Sequence, residues 1–308
     1  MLVFAGLDPS GGAGLAADIQ AIAAAGAHAL PVATVLTAQD NNRVRAIHAV
    51  APELVRAQAD ALTAAIDITA IKIGIVGSLA NARCIAAIIA VLRCRQPDLP
   101  VVLDPVLASG HGDALAADDP LAIVSLLLPL ATLVTPNLPE SGRLCAGAGA
   151  DAGAGADVMA PVASTARSAE LARQAAQLLE RGAMHVLIKG GHGPHAGPAP
   201  ESTADQDEDD DGRVVNHWYR IGPGSAFSSE VILAGQWHWP RLPGQFHGSG
   251  CTLAASIAGC LAQGVGMEEA IERGQVLCQA ALAAAFSIAP GQAIPQRGAP
   301  PSSMKELA

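Results

Sequence analysis

Short runs of apolar residues alternate along the chain with longer segments in which apolar residues recur every three or four positions. The short runs predict buried strands at residues 2–6, 29–36, 70–73, 101–103, 132–134 and 186–188. The periodic segments predict helices at residues 14–25, 52–66, 79–91, 166–181, 251–262 and 267–286. Because strands and helices alternate, we predict an α/β fold with a mostly parallel, doubly wound central sheet and helices on both faces.

Polar or Gly-rich positions follow most of the predicted strands. They are Asp8, Gln39, Gly74, Asp104, Asn137 and Lys189. In open α/β sheets the ligand crevice lies at the carboxyl ends of the strands. This pattern predicts an enzyme or a ligand-binding protein before any motif is compared.

Composition supports this class of fold. Hydrophobic residues make up 51% of the 308 residues, whereas aromatic residues make up only 3%. Ala, Val, Leu and Ile must therefore fill the core, which suits helices packed on a parallel sheet. We expect one domain over residues 1–290, with flexible insertions at about 146–160 and 192–213 and a poorly ordered tail at 291–308.

Charge and cysteine usage limit the partners and the compartment. The net charge of −10 argues against a nucleic-acid partner, although seven acidic residues between positions 201 and 211 carry most of it and read as a solvated loop. The six cysteines form no CxxC pair and show no Cys/His metal spacing. We see neither a signal peptide nor an apolar run long enough for a membrane span, so we expect a cytoplasmic protein without a membrane partner.

The most distinctive motif leads into a predicted helix and reads His247-Gly248-Ser249-Gly250-Cys251-Thr252. A helix start presents unpaired backbone N–H groups and the positive end of the helix dipole, which makes it a ready phosphate site. Cys251 stands where the anion would bind, so its thiol is either a reactive group or a positioning group. A helix start also lowers the pKa of a thiol, which would favour a thiolate at Cys251.

Two polar residues near the first Gly-rich turn are candidates for binding a substrate. The turn from Gly6 to Gly14 permits close approach of a ligand to the backbone. Asp18 either stabilises a helix N-terminus or accepts a hydrogen bond from a substrate. Gln39 is either a solvated loop residue or an amide that pairs with the edge of a heterocycle.

Three further strand ends supply charged groups. Glu140, close to Asn137, either caps a helix or holds Mg²⁺ through water, and Asp104 is a second candidate for Mg²⁺. Lys189 is either a surface lysine or a phosphate ligand. Together with the anion site these are the groups that phosphoryl transfer requires. The chain has no GxxxxGK[ST] motif, so we expect a kinase outside the P-loop class.

The chain resembles the hydroxymethylpyrimidine/phosphomethylpyrimidine kinases of thiamine biosynthesis, in the ribokinase-like superfamily. The matching blocks are AGLDPSGGAGLAAD (5–18), TAQ (37–39), KIG (72–74), VVLD (101–104), TPNLPE (135–140), VLIKGGH (186–192) and HGSGCTL (247–253). The resemblance implies a ribokinase-like fold and an ATP- and Mg²⁺-dependent kinase. It would phosphorylate the hydroxymethyl group of 4-amino-5-hydroxymethyl-2-methylpyrimidine and then convert the monophosphate to the pyrophosphate.

The resemblance also implies roles for individual residues. The pyrimidine alcohol and its phosphate would be bound by Gly6, Asp18, Gln39, Ile75 and Val106. The nucleotide would be bound by Asn137, Lys189, Ser249 and Thr252, and Mg²⁺ by Glu140 and Asp104. Catalysis would use Lys189 and an anion hole that contains Gly248, Gly250 and Cys251. A homodimer is expected because dimers are common among relatives.

Two alternatives stay open from the sequence. One is a pyridoxal or pyridoxine kinase, which performs the same chemistry on a pyridine. The other is a catalytically inactive vitamin-binding regulator, which the unusual acidic segment after residue 192 motivates. The role of Cys251 as base or positioning group also stays open.

Overall fold

A nine-stranded sheet organises the chain in the computed structural model, which describes residues 1–146, 164–191, 212–222 and 230–298. The strands are β1 (Leu2–Leu7), β2 (Leu30–Gln39), β3 (Val44–Ala49), β4 (Ile71–Ile73), β5 (Val101–Leu103), β6 (Leu133–Val134), β7 (His185–Ile188), β8 (Arg213–Ile221) and β9 (Val231–Pro240). The helices are α1 (Gly14–Ala24), α2 (Pro52–Thr63), α3 (Leu79–Arg93), α4 (Pro120–Leu127), α5 (Leu138–Ala146), α6 (Ser164–Glu180), α7 (Ser249–Ala262) and α8 (Met267–Ala283).

The centre of the sheet is parallel. Six neighbouring strands run in the order β2, β1, β4, β5, β6 and β7. β3 pairs antiparallel with β2 at one edge, and β8 and β9 continue the sheet antiparallel at the other. The predicted mostly parallel sheet is therefore confirmed. The carboxyl ends of its central strands bring the polar residues that follow them, among them Asp104, Asn137 and Lys189, to one edge of the sheet.

Helices cover both faces of the sheet, also as predicted. Successive strand residues point to opposite faces, so Phe4 and Leu103 pack with α2, α3, α4 and α6, whereas Val3 and Val102 pack with α1, α7 and α8. All four side chains are at most 1% exposed. Burial on both faces explains why the central strands are continuous apolar runs in the sequence.

Of the elements outside the predicted list, α5 was foreshadowed by the capping interpretation of Glu140, whereas β3, α4, β8 and β9 were not expected. The three strands among them are edge or near-edge strands, which mix apolar, aromatic and charged residues because many of their side chains meet solvent. β2 also extends to Gln39, beyond the predicted end at residue 36, because β3 supplies a hydrogen-bonding partner for the added residues.

The chain after α8 differs from the expected poorly ordered tail at residues 291–298. Asn41 Nδ2 donates to the carbonyl of Gln292 at 2.9 Å, and the backbone N–H of His247 donates to the carbonyl of Ala293 at 2.8 Å. We call residues 290–297 the C-terminal strap. It crosses the turn between β2 and β3 and then reaches the start of α7.

The expected flexible insertions lie outside the described residues, except at positions 146, 212 and 213. The acidic segment at 201–211 also lies outside them. Among the described residues, no helix combines the length and apolar character that a membrane span requires.

Candidate active site

Two loops that precede helices pack against each other at the edge of the sheet. The first glycine loop (residues 8–13) joins β1 to α1, and the anion loop (residues 247–250) leads into α7. A Cβ atom at Gly12 would collide with the ring of His247, and one at Gly248 would collide with the carbonyl oxygen of Gly12. Gly248 also has a φ of +78°, which favours glycine. The loops can therefore meet this closely only with glycine at both positions.

A buried carboxylate joins these two loops. Asp8 Oδ2 lies 2.8 Å from His247 Nε2 and accepts the backbone N–H of Ala13 at 2.8 Å, while Oδ1 accepts the backbone N–H of Ser10. Burial raises the pKa of Asp8, but the hydrogen bonds from His247 and Ser10 outweigh burial and lower that pKa below its ordinary value. Asp8 is therefore an anchor between the loops, a role that its place after a strand did not reveal.

Cys251 lies in the first turn of α7 and is 9% exposed. Burial raises the pKa of its thiol to about 11, although the nearby Lys72 charge and a hydrogen bond from the backbone of Gly14 lower it. Desolvation thus outweighs the favourable effect of the helix start on this thiol, which favours the positioning role over the role of a base. At neutral pH Cys251 carries its proton.

Lys189, Asp104 and Gly250 come together at the centre of the site. Lys189 Nζ lies 3.1 Å from Asp104 Oδ1, and a Cβ atom at Gly250 would lie 3.2 Å from the same nitrogen. Burial lowers the pKa of Lys189, but the charges of Asp104 and Glu140 outweigh burial and raise that pKa, so Lys189 stays protonated. A lysine cation thus stands directly beside the start of α7.

Glu140 and Asn137 exchange hydrogen bonds at the start of α5. The backbone N–H of Glu140 donates to Asn137 Oδ1 at 2.8 Å, and the backbone N–H of Asn137 donates to Glu140 Oε2 at 2.8 Å. This is a capping box, as the simpler interpretation of Glu140 held. Burial raises the pKa of Glu140 to about 7, the Asp104 charge adds to the rise, and the Lys189 charge opposes it.

The carboxylates near Lys189 fit a magnesium ion in a phosphate site. Asp104 is 2% exposed, and its Oδ2 atom is buried without a hydrogen-bond partner. Among the described residues no group of three or more His, Cys, Asp or Glu side chains is placed to hold a metal. Mg²⁺ commonly takes only one or two carboxylates and completes its shell with phosphate oxygens and water. Asp104 and Glu140 match that donor set.

Asp18 forms a fully buried ion pair with Lys72. Lys72 Nζ lies 2.9 Å and 2.8 Å from the two carboxylate oxygens, and both side chains are 0% exposed. The Asp18 charge raises the pKa of Lys72 against the lowering effect of burial, so the lysine stays charged. In this structure Asp18 serves as the partner of Lys72, and its contact with a substrate stays a prediction. The available signal was a lysine inside an apolar strand, which requires a buried partner.

Several residues of the predicted pyrimidine site lie close to one another. Ile75, Val106 and Asp104 line one cavity. Gly6 lies beside Ile75, since a Cβ atom at Gly6 would lie 3.8 Å from the Ile75 Cβ. Gln39 is partly buried at the end of β2, opposite Val44 in the β2–β3 hairpin.

Thr252 is occupied within the protein rather than free for a nucleotide. It is 1% exposed, donates from Oγ1 to the carbonyl of Gly248 at 2.7 Å, and accepts from Arg297 Nε at 2.7 Å. Ser249 begins α7 and is partly exposed, so it remains available to a ligand. Arg297 was not among the predicted site residues, because it lies in a segment that the sequence marks as a tail.

Comparisons with known proteins show the family to which this chain belongs. The family model described as phosphomethylpyrimidine kinase matches residues 8–296. A hydroxymethylpyrimidine/phosphomethylpyrimidine kinase of Rhizobium meliloti is 35% identical over 296 residues, which cover 94% of this chain and 93% of the relative.

Solved structures give the same fold. A phosphomethylpyrimidine kinase from Clostridium difficile matches with a TM-score of 0.61 and 26% identity over 91% of this chain and 98% of its own. A Bacillus subtilis pyridoxal kinase matches with a TM-score of 0.69 and 23% identity over 96% of each chain, a likeness of fold alone. The extent of the family match and the identity to the Rhizobium relative show that this chain belongs to the phosphomethylpyrimidine kinase family.

Proposed function

We propose that this protein transfers a phosphoryl group from ATP to the hydroxymethyl group of 4-amino-5-hydroxymethyl-2-methylpyrimidine, and a second one to the resulting monophosphate. Family membership supports the reaction class and the substrate. The observation that carries the proposal is the meeting of the anion loop with Lys189 and Asp104 at Gly250. These groups supply the positive charge and the carboxylate that phosphoryl transfer from a nucleotide needs.

The anion loop and Lys189 would hold the transferred phosphoryl group. The first backbone N–H groups of α7 have no partners within the helix. They lie at the positive end of the helix dipole, where they can donate hydrogen bonds to an anion. Lys189 adds a full positive charge beside Gly250. Fixed donors of this kind stabilise the charge that spreads over the phosphoryl oxygens in the transition state.

Asp104 and Glu140 would hold Mg²⁺ when the nucleotide is bound. The ion would neutralise charge on the phosphates of ATP. Without it, Lys189 is the counter-charge of Asp104, and Glu140 is held by its capping contacts. Asn137 and Ser249 would contact the nucleotide nearby.

Cys251 acts in this proposal as a neutral positioning group rather than as a base. Its thiol pKa of about 11 keeps it protonated at neutral pH. Phosphoryl transfer through a loose transition state needs little activation of the attacking alcohol, so a strong base is unnecessary. The pyrimidine would lie near Gly6, Ile75 and Val106, with Gln39 pairing with its edge.

The decisive test is the product profile with ATP, Mg²⁺ and the pyrimidine alcohol, followed by ³¹P NMR. We expect the monophosphate first and the pyrophosphate later. A preference of tenfold or more in kcat/KM for pyridoxal would overturn the choice of substrate. Absence of any turnover at high enzyme concentration would favour an inactive binding protein instead.

We also propose a cytoplasmic homodimer. All six cysteines are free, which suits a reducing compartment. Leu7 and Leu36 are neighbours on adjacent strands and are 42% and 45% exposed, so they offer an apolar patch to a second copy. Light scattering on the purified protein measures its mass in solution. A monomer at micromolar concentration would contradict the dimer.

A further inference from the structure

Arg297 lies on the C-terminal strap and is buried between the two loops of the site. The residue is only 3% exposed. Nη2 donates to the carbonyl of Gly12 at 2.6 Å and makes a longer contact of 3.5 Å with the carbonyl of His247. Nε donates to Thr252 Oγ1 at 2.7 Å. One side chain therefore joins the first glycine loop, the anion loop and α7.

These contacts determine the direction of backbone amides. A peptide group is planar and trans, so its C=O and the following N–H point in opposite directions. Arg297 holds the carbonyl of Gly12, and the N–H of Ala13 then donates to Asp8. Arg297 also reaches the carbonyl of His247 at 3.5 Å, and through Thr252 Oγ1 it is linked to the carbonyl of Gly248. A glycine in a left-handed conformation has little restraint of its own, so these contacts restrain the anion loop.

Burial lowers the pKa of Arg297 and outweighs the opposing charges of the nearby Asp18 and Asp8, so the buried guanidinium is costly in the free protein. A cation near the N-terminus of a helix opposes the helix dipole, which favours negative charge there. In addition, Nη1 of Arg297 is buried without a hydrogen-bond partner. The electrostatic cost falls when a phosphate group binds in front of α7, since the anion balances the guanidinium and the dipole together. The buried charge thus favours the anion-bound state over the free one.

We propose that Arg297 is a positioning residue of the phosphoryl-transfer site, which aligns the anion loop and raises its affinity for phosphate. This inference rests on the proposed function and extends it to a residue of the C-terminal strap. Arg297 acts through the amides that it orients and through its charge, without touching the reacting atoms.

The test compares two variants of Arg297. Arg297→Met removes the charge at similar length, and Arg297→Lys keeps the charge but loses the planar set of guanidinium donors. The matched control is Arg273→Met, because Arg273 is 59% exposed on α8 and pairs only with Glu269 among the described contacts. Turnover with ATP and the pyrimidine alcohol is measured first. Calorimetric titration with inorganic pyrophosphate and amide hydrogen exchange of residues 247–252 are measured in parallel.

For Arg297→Met we expect kcat to fall at least thirtyfold, with the KM for the alcohol within threefold of wild type. Pyrophosphate should bind at least tenfold more weakly, and amides of residues 247–252 should exchange at least tenfold faster. Arg297→Lys should recover most of the pyrophosphate affinity and little of kcat. Arg273→Met should match the wild type in all measurements.

A kcat within threefold of wild type for Arg297→Met, together with unchanged pyrophosphate binding, would overturn the inference. If that variant does not fold, Arg297→Lys decides on the same kcat and exchange criteria. Failure of the proposed function has a different signature: the wild type would then show no turnover of the alcohol. The pyrophosphate and exchange measurements would still test Arg297 in that case.

Discussion

Lys189 and Asp104 form an ion pair that uses only one oxygen of the carboxylate. Nζ lies 3.1 Å from Oδ1, while Oδ2 is buried without a hydrogen-bond partner. An unpaired buried carboxylate oxygen costs stability, so its presence points to a ligand that the functioning site receives. The geometry therefore leaves one oxygen of Asp104 unpaired in the free protein and available to a ligand.

Replacing Asp104 by Asn tests this relationship. Asn has the same shape but no charge, so we expect kcat to fall by about 100-fold, the scale on which single electrostatic groups act in catalysis. The Mg²⁺ concentration for half-maximal rate should also rise. Asp67→Asn is the control, because Asp67 is exposed on the surface. Equal Mg²⁺ dependence in the variant and the wild type would remove Asp104 from the metal site.

The buried pair of Asp18 and Lys72 should be a stability element. Lys72→Met leaves the Asp18 carboxylate buried without its partner, and we expect the free energy of unfolding to fall by about 3–5 kcal/mol. The double variant Asp18→Leu/Lys72→Met removes both charges and should recover most of that loss. Denaturant unfolding measures both effects. A double variant no more stable than Lys72→Met would show that the pair is not the cause.

Glu140 should make stability depend on pH. Its pKa in the folded protein is about 7, above the ordinary value of 4.5, because burial disfavours its charge. Between these two pH values the folded state binds more protons than the unfolded state, so stability should decrease as the pH rises from about 4.5 to about 7. Glu140→Gln should flatten this decrease in urea unfolding without Mg²⁺, whereas Glu268→Gln on α8 should not. An unchanged slope in Glu140→Gln would contradict the raised pKa.

Cys251 should react slowly with alkylating reagents at neutral pH. A thiol pKa of about 11 leaves little thiolate, and the side chain is 9% exposed. Mass spectrometry after iodoacetamide treatment should show exposed Cys94 modified first. Cys251→Ser should keep turnover within about tenfold of wild type if the residue only positions groups. Higher turnover in Cys251→Asp would instead indicate a base.

Gln39 should contribute to binding of the pyrimidine more than to binding of ATP. Loss of its amide in Gln39→Ala should weaken the binding of the pyrimidine alcohol by about 1–3 kcal/mol, because a buried group of the ligand loses its hydrogen-bond partner. Exposed Gln96 provides the control variant, Gln96→Ala. Calorimetry with the alcohol and with ATP separates the two effects. Pyrimidine affinity equal to that of Gln96→Ala would exclude Gln39 from the pocket.

The sequence allowed the central fold to be predicted because its strands are buried on both faces. Val102 and Leu103 belong to one apolar run, although they pack on opposite sides of the sheet. The edge strands β8 and β9 escaped prediction because solvent reaches one side of them, and their residues mix in type.

Only those site residues could be predicted that directly follow a strand or belong to a sequence motif. Lys189, Asp104 and Gly250 do meet, as their positions at strand ends and at a helix start suggested. The buried partners of Asp18 and Thr252 could not be inferred, because Lys72 and Arg297 come from a strand centre and from the strap. Such pairings depend on tertiary packing, which no local pattern records.

The strap also has a consequence for the order in which the protein is assembled during synthesis. Arg297 bonds to Gly12, a residue 285 positions earlier in the chain. The ribosome makes both loops before it makes Arg297. In the nascent chain these loops therefore lack their contacts with Arg297, whereas the central sheet can already form. We therefore expect the phosphate site to mature last, after the scaffold that supports it.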